Sequence, residues 1–173
     1  MKYYEVIILL VPALIVFVAI FLILKQFLSN QLKMQMLKQK EEHAQNVVQL
    51  KLQAYERLML FCERVSIQGL LLRIQSPNMS RTDLKSALVL AIQQEFEHNL
   101  SQQLYVSEKL WRIIKLAKDQ LIEIITHISS KVPSSAPSEE FSKQLILFIE
   151  SQKTNPIETA KSAIKREASL LLQ

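Results

Sequence analysis

Between Ala13 and Gln68 the chain contains neither glycine nor proline. A run this long without a breaker can continue as uninterrupted helix, and little else can be built from it. The rest of the chain points the same way. Glycine occurs once, at Gly69, and proline at Pro12, Pro77, Pro133, Pro137 and Pro156. No hairpin dipeptide punctuates the sequence, and the β-branched residues mostly recur at helical spacing, so the expectation is an all-α protein. At 173 residues it has room for one core of ordinary size plus an appendage. The lone Cys62 has no partner for an intramolecular disulfide, which fits a reducing compartment.

The appendage is at the front. Val6 to Leu24 reads VIILLVPALIVFVAIFLIL, nineteen residues without a charge. At 1.5 Å per residue they reach roughly 28 Å, close to the thickness of a hydrocarbon core. The run is longer than a signal-peptide core and no small-residue cleavage site comes after it, so it predicts a retained transmembrane helix. Pro12 lies about a turn and a half inside, at a depth where a kink is tolerated. Lys2 and Glu5 stand on the short side, whereas Lys25, Lys33, Lys38 and Lys40 all precede the first acid beyond the span, Glu41. That asymmetry predicts a short N-terminus outside and the long side in the cytoplasm, with Tyr3 and Tyr4 at the opposite interface. The same four lysines suit anionic headgroups of an inner, plasma membrane and account locally for a formal net charge of +5. The lipid bilayer is therefore the expected partner. Nucleic acid is not, because no basic patch interleaved with stacking aromatics occurs.

The chain divides by composition into an anchor over 1–25, a helical stalk over 26–48, a helical bundle over 49–130, a Pro/Ser linker over 131–138 and a C-terminal helical pair over 139–173. In the stalk, Phe27, Leu28, Leu32, Met34, Met36 and Leu37 scatter around the helix, and the seam Leu37, Ala44, Val48 is too short for a coiled coil. If helical, the stalk holds the bundle about 35 to 40 Å from the membrane. Over 49–65 the pattern changes. Leu50, Leu52, Ala54, Tyr55, Leu58, Met59, Phe61, Cys62 and Val65 cover about 200° of the helix. The stretch YERLMLFCER at 55–64 also carries Glu56, Arg57, Glu63 and Arg64. None of these has an opposite charge three or four residues away, where helical side chains meet. Their partners must be water, a neighbouring helix or another chain.

Later helices announce their starts. After Ile74, Ser80 and Asp83 form a capping box, with Met79 and Leu84 in the staple positions. Leu84, Ala87, Leu88, Ala91 and Ile92 lie on one face of that helix. Ser107 starts the next helix, with Val106 and Trp111 as its staple and Glu108 in the first turn. Its core face is Leu110, Ile113, Ile114, Ala117, Leu121, Ile124, Ile125 and Ile128. After KVPSSAPS, Ser138 caps a helix to about Lys153 bearing Phe141, Leu145, Phe148 and Ile149. Asn155, Pro156 and Glu158 open the last helix, with Ile157, Ala160, Ile164, Ala168 and Leu171 at helical spacing. Whether this pair joins the bundle is left open by the pattern.

One stretch offers chemistry. EFEHNLSQQLYVS, 95–107, continues the wheel of the preceding helix and puts Glu95, His98, Asn99 and Gln102 on its core face. An acid and a histidine aimed at a core need partners. A metal reading rests on Glu95-x-x-His98, the spacing of di-iron bundles, but a full site needs a second such motif and more carboxylates. Glu123 with His127, the nearest relative, has the wrong spacing. The favoured reading is a structural polar cluster of Glu56, Arg57, Glu63, Arg64, Glu95 and His98, in which Arg57 or Arg64 reaches Glu95 across a helix interface. The third is that the helix leaves the core near His98 and these groups solvate. Cys62 reads as a small buried hydrophobe, His43 as part of the polar stalk, His127 as off the core face and Trp111 as core. No P-loop, dinucleotide fingerprint, nucleophile elbow or HExxH occurs.

On YERLMLFCER, EFEHNLSQQLYVS and Trp111, the chain resembles a family of short, membrane-anchored helical proteins from Bacteroidota classed as a domain of unknown function. The resemblance covers most of the chain and implies no activity or catalytic residue. The expectation is a non-enzymatic single-pass protein, without cofactor or small-molecule substrate, that scaffolds a protein partner or self-associates at the inner membrane. Two alternatives stand beside it. One is a stalk-like subunit of a larger membrane complex, as in the peripheral stalk of an ATP synthase. The other is a membrane-bound metal-dependent oxidase requiring iron or manganese.

Overall fold

The computed structural model describes residues 2–171, with side chains from Leu14 onward apart from Ala19. Among the described residues there is no strand, and six α-helices succeed one another: α1 Lys2–Arg64, α2 Ile67–Ile74, α3 Arg81–His98, α4 Glu108–Lys131, α5 Ser138–Ser151 and α6 Pro156–Leu171. A short 3-10 helix, Leu100–Leu104, joins α3 to α4. The chain forms two compact units, Met1–Val47 and Val48–Gln173.

The first unit is helix alone. From Leu14 to Leu24 its large apolar side chains are 46 to 68 % exposed, and by length and composition α1 is long and apolar enough to cross a membrane. Helical backbone runs through Pro12. The side chains of Lys2, Tyr3, Tyr4 and Glu5, expected to set and anchor the orientation, lie outside the described residues. Lys25, Lys33, Lys38 and Lys40 are all exposed, as are Phe27, Leu28, Leu32, Met34, Met36 and Leu37.

The second unit surrounds one core. The last turns of α1 bury Ala54, Tyr55, Leu58, Phe61 and Cys62, while Leu50 stays exposed and Leu52 and Met59 half-buried. The helix then stops at Arg64, short of the unbroken run to Gln68 that the composition allows. Ser66 turns the chain. Its hydroxyl donates to the Glu63 carbonyl at 2.7 Å and accepts from the Gly69 N–H at 3.3 Å, capping α2. Arg73 closes the other side, donating to the Arg64 carbonyl at 2.6 Å and the Gly69 carbonyl at 3.2 Å, so groups left open by the end of α1 are satisfied locally. α2 points Ile67, Leu70 and Leu71 inward.

α3 begins where its sequence says it should, with the Ser80–Asp83 box closed in both directions. Leu84, Leu88 and Ile92 are buried from it, and α4 adds Leu110, Ile114, Ala117, Leu121, Ile125 and Ile128. Ile113 and Ile124, expected on that face, are half-buried at its edge. The Pro/Ser segment after α4 is not a spacer between domains. Val132 and Ala136 are buried in it, the Arg81 N–H donates to the Ala136 carbonyl at 3.1 Å, and the Ser138 N–H donates to the Met79 carbonyl at 3.0 Å. Ser138 is the first residue of α5 rather than its cap, a position taken by Pro137, and its buried hydroxyl accepts from Gln75 at 3.3 Å.

The C-terminal pair shares this core. Phe141, Leu145 and Ile149 of α5 and Ile157, Ala160 and Ile164 of α6 are buried in the same cluster as the α1 and α4 residues. α6 packs on α4, and α5 on α3 and α4. Burying a large apolar side chain is worth about 1.5–3 kcal/mol, so α5 and α6 are parts of the bundle and not an arm. The Asn155 side chain accepts from the Ile157 N–H at 2.9 Å and fixes the start of α6.

Candidate functional site

The charges of YERLMLFCER separate in two directions. Arg64, on the last turn of α1, meets Glu95, near the end of α3: its Nη1 lies 3.3 and 3.4 Å from the two carboxylate oxygens. A third group joins them, since Arg73 Nη1 stands 3.7 Å from Glu95 Oε1. Glu95 is only 15 % exposed against 59 % for Arg64 and 47 % for Arg73. One nearly enclosed carboxylate thus ties three helices together. Glu63 turns the other way and meets Lys161 of α6 at 2.8 Å, and Glu158 completes this second cluster at 2.9 Å. Burial alone would lower the Lys161 pKa, but hydrogen bonds and charge from Glu63 and Glu158 outweigh it and hold the ammonium above its ordinary value.

The six residues expected to form one cluster are therefore not one cluster. Arg64 and Glu95 are brought together, Glu63 pairs with Lys161 of α6, and Glu56 and Arg57 are exposed without an ion pair among the described residues. His98 also departs from expectation. α3 ends there with the imidazole exposed, while Asn99 and Gln102 remain buried. Asn99 donates to the Glu95 carbonyl at 2.7 Å, closing the helix end. Beside these groups is a cleft of about 490 Å3 lined by Arg57, Leu60, Phe61, Arg64, Glu95, His98 and Asn99. A smaller one of about 170 Å3 lies on the Arg73 side of Glu95.

For metal, Glu95 and His98 offer a poor start. Among the described residues no three His, Cys, Asp or Glu side chains gather, and the Glu95 oxygens already face two guanidinium groups. Glu123 and His127 do not help: Glu123 lines a separate groove of about 540 Å3 along α4, and His127 sits against Phe148. Burial pushes the Cys62 thiol up to about 12, with Glu63 and Glu158 adding to the rise and Lys161 opposing it. A thiol so held is not a nucleophile near neutral pH.

Two features escaped sequence reasoning. Glu167 on α6 accepts from the Tyr55 hydroxyl at 3.2 Å, from the Ser107 N–H at 2.9 Å and from the Ser107 hydroxyl, joining α1, α4 and α6. Burial, with Glu167 nearby, pushes the Tyr55 phenol up to about 12. Ser107 is legible as a cap, but nothing local identifies an acid sixty residues later. The other is Phe96, which stacks on Trp111 at 5.3 Å, meets Phe61 edge-on at 6.1 Å and lies 4.9 Å from the Lys118 ammonium. Its place between Glu95 and Glu97 in a polar run disguises it.

The comparison with family models finds a match over residues 1–171 to a family of unknown function, DUF7935. The chain belongs to DUF7935. The matched residues take in the apolar run and the whole helical bundle, so the DUF7935 unit includes both. No curated protein and no solved structure matches the chain.

Proposed function

We propose that this DUF7935 protein is a non-enzymatic single-pass protein of the bacterial inner membrane whose helical domain, facing the cytoplasm, scaffolds or tethers a protein partner there. The observation that carries the reading is the exposed apolar run from Leu14 to Leu24, on a helix with no partner for it among the described residues. Apolar surface costs roughly 25 cal/mol per Å2 in water, and a helix is one of the few structures whose backbone is satisfied in lipid. Exposed Lys25, Lys33, Lys38 and Lys40 on the succeeding turns support the cytoplasmic orientation.

Tethering rather than chemistry is supported by the use of the acids. Glu63, Glu95 and Glu167, the carboxylates with reach to another helix, each hold helices together. The compact core of 48–173 supports this reading over an extended stalk subunit. The test is purification of the full chain and of a chain lacking residues 1–25 from cells. One protein in stoichiometric amount should accompany both, moving from the membrane to the soluble fraction when the anchor is removed. Absence of any stoichiometric companion, or a companion that stays in the membrane without the anchor, would overturn the reading.

A further inference from the structure

We propose that the cleft beside Glu95 binds a phosphate-bearing anion between Arg57 and Arg64. The two arginines are one heptad apart on α1, about 10.5 Å along its axis and within about 20° of the same direction. Both line the same cleft, with Leu60 and Phe61 on the turn between them. Guanidinium groups spaced in this way can close on a group held between them, and their planar donor forks match phosphate oxygens.

The charge of the cleft is unbalanced in the direction the proposal needs. Two guanidinium groups, Arg57 and Arg64, line the cleft with one carboxylate, Glu95, leaving a formal +1, and Arg73 meets the same carboxylate from the smaller cleft. Arg73 is committed to the carbonyls of Arg64 and Gly69 and to Glu95. Arg64 gives only Nη1 to Glu95, so its Nε and Nη2 have no protein acceptor among the described residues. Among those residues Arg57 has none for any of its five N–H donors. Glu95 is the only acid lining the cleft, and two arginines already offset it. Opposite stand His98 and Asn99, and the open cleft between them has a volume of about 490 Å3.

The ligand chemistry is the phosphate group of a soluble phosphorylated compound. This goes beyond the scaffold reading and does not depend on it. The test is the thermal unfolding midpoint of the full chain, read by its single tryptophan, Trp111. In uncharged detergent, millimolar pyrophosphate is compared with sodium chloride at equal ionic strength. The expected result is a midpoint higher by about 3 °C with pyrophosphate. The rise should vanish in Arg57→Gln, whose midpoint in chloride should equal wild type because Arg57 has no ion pair to lose among the described residues. No rise with pyrophosphate, or a rise that survives Arg57→Gln, would overturn the proposal.

Discussion

Glu95 meets two arginines yet keeps little access to water, and that combination decides what it is worth. Exposed ion pairs contribute about 0–1 kcal/mol, whereas a hydrogen bond to a charged group shielded from water contributes about 1.5–3 kcal/mol. The pair lies between these limits, because Arg64 and Arg73 are half-exposed and can resolvate when the acid is lost. Glu95→Gln, which keeps the shape and removes the charge, is therefore expected to cost about 1 kcal/mol and lower the thermal midpoint by about 3–5 °C. Arg64→Ala should cost less, since Arg73 stays beside the carboxylate. Denaturant melts of both variants at low and high salt would measure this. Equal midpoints for wild type and Glu95→Gln would mean that the carboxylate is simply solvated.

At the scale of elements, the turn from α1 to α2 hangs on Gly69. An alanine in place of a helical glycine usually stabilises by about 0.5–1 kcal/mol. Here the added Cβ would lie 2.9 Å from the Ser66 hydroxyl and 3.1 Å from the Glu63 carbonyl. The hydroxyl must move and the α2 cap is lost, which typically costs about 1 kcal/mol. Gly69→Ala is expected to lower stability in the wild-type background and to cost less in a Ser66→Ala background, where only the Glu63 carbonyl still crowds the Cβ. A double-mutant cycle by urea unfolding reads the difference, and the same penalty in both backgrounds would refute the role given to Ser66. Such a turn is hard to see in sequence, because VSIQG contains no proline and the stop depends on Arg73 reaching back nine residues. The starts of α3, α4 and α6 are legible because Ser80, Ser107 and Asn155 act on amides two or three positions away. Arg64 and Glu95 are legible as partners from periodicity, but Arg57 shares their face. Which of the two arginines meets Glu95 depends on how far α1 is displaced along α3, a register that periodicity does not contain. The prolines after α4 suggest a linker, and the backbone bonds from Arg81 and to Met79 that pin it cannot be read from composition.

For the molecule as a whole, the contact between the last turns of α1 and α6 carries a signature in pH. Cys62 and Tyr55 are both pushed up to about 12, from 9.0 and 10.0, chiefly by burial. Lys161 is also held above its ordinary value. In each case the folded chain keeps a proton that the unfolded chain gives up at lower pH. The stabilisation is therefore complete below the unfolded values and is lost as pH rises through the folded ones. On the alkaline side the thermal midpoint should be level from neutral pH up to about pH 9 and then fall steadily. Cys62→Ala should shift the start of the decline towards the ordinary tyrosine range. Glu167→Gln, by removing the charge beside the phenol, should bring the Tyr55 titration down by ultraviolet absorbance while weakening the tie between α1, α4 and α6. A midpoint that stays level through the tyrosine range would mean that water reaches these groups in the folded chain, and that α6 does not close over α1 as tightly as its buried Ala160 and Ile164 require.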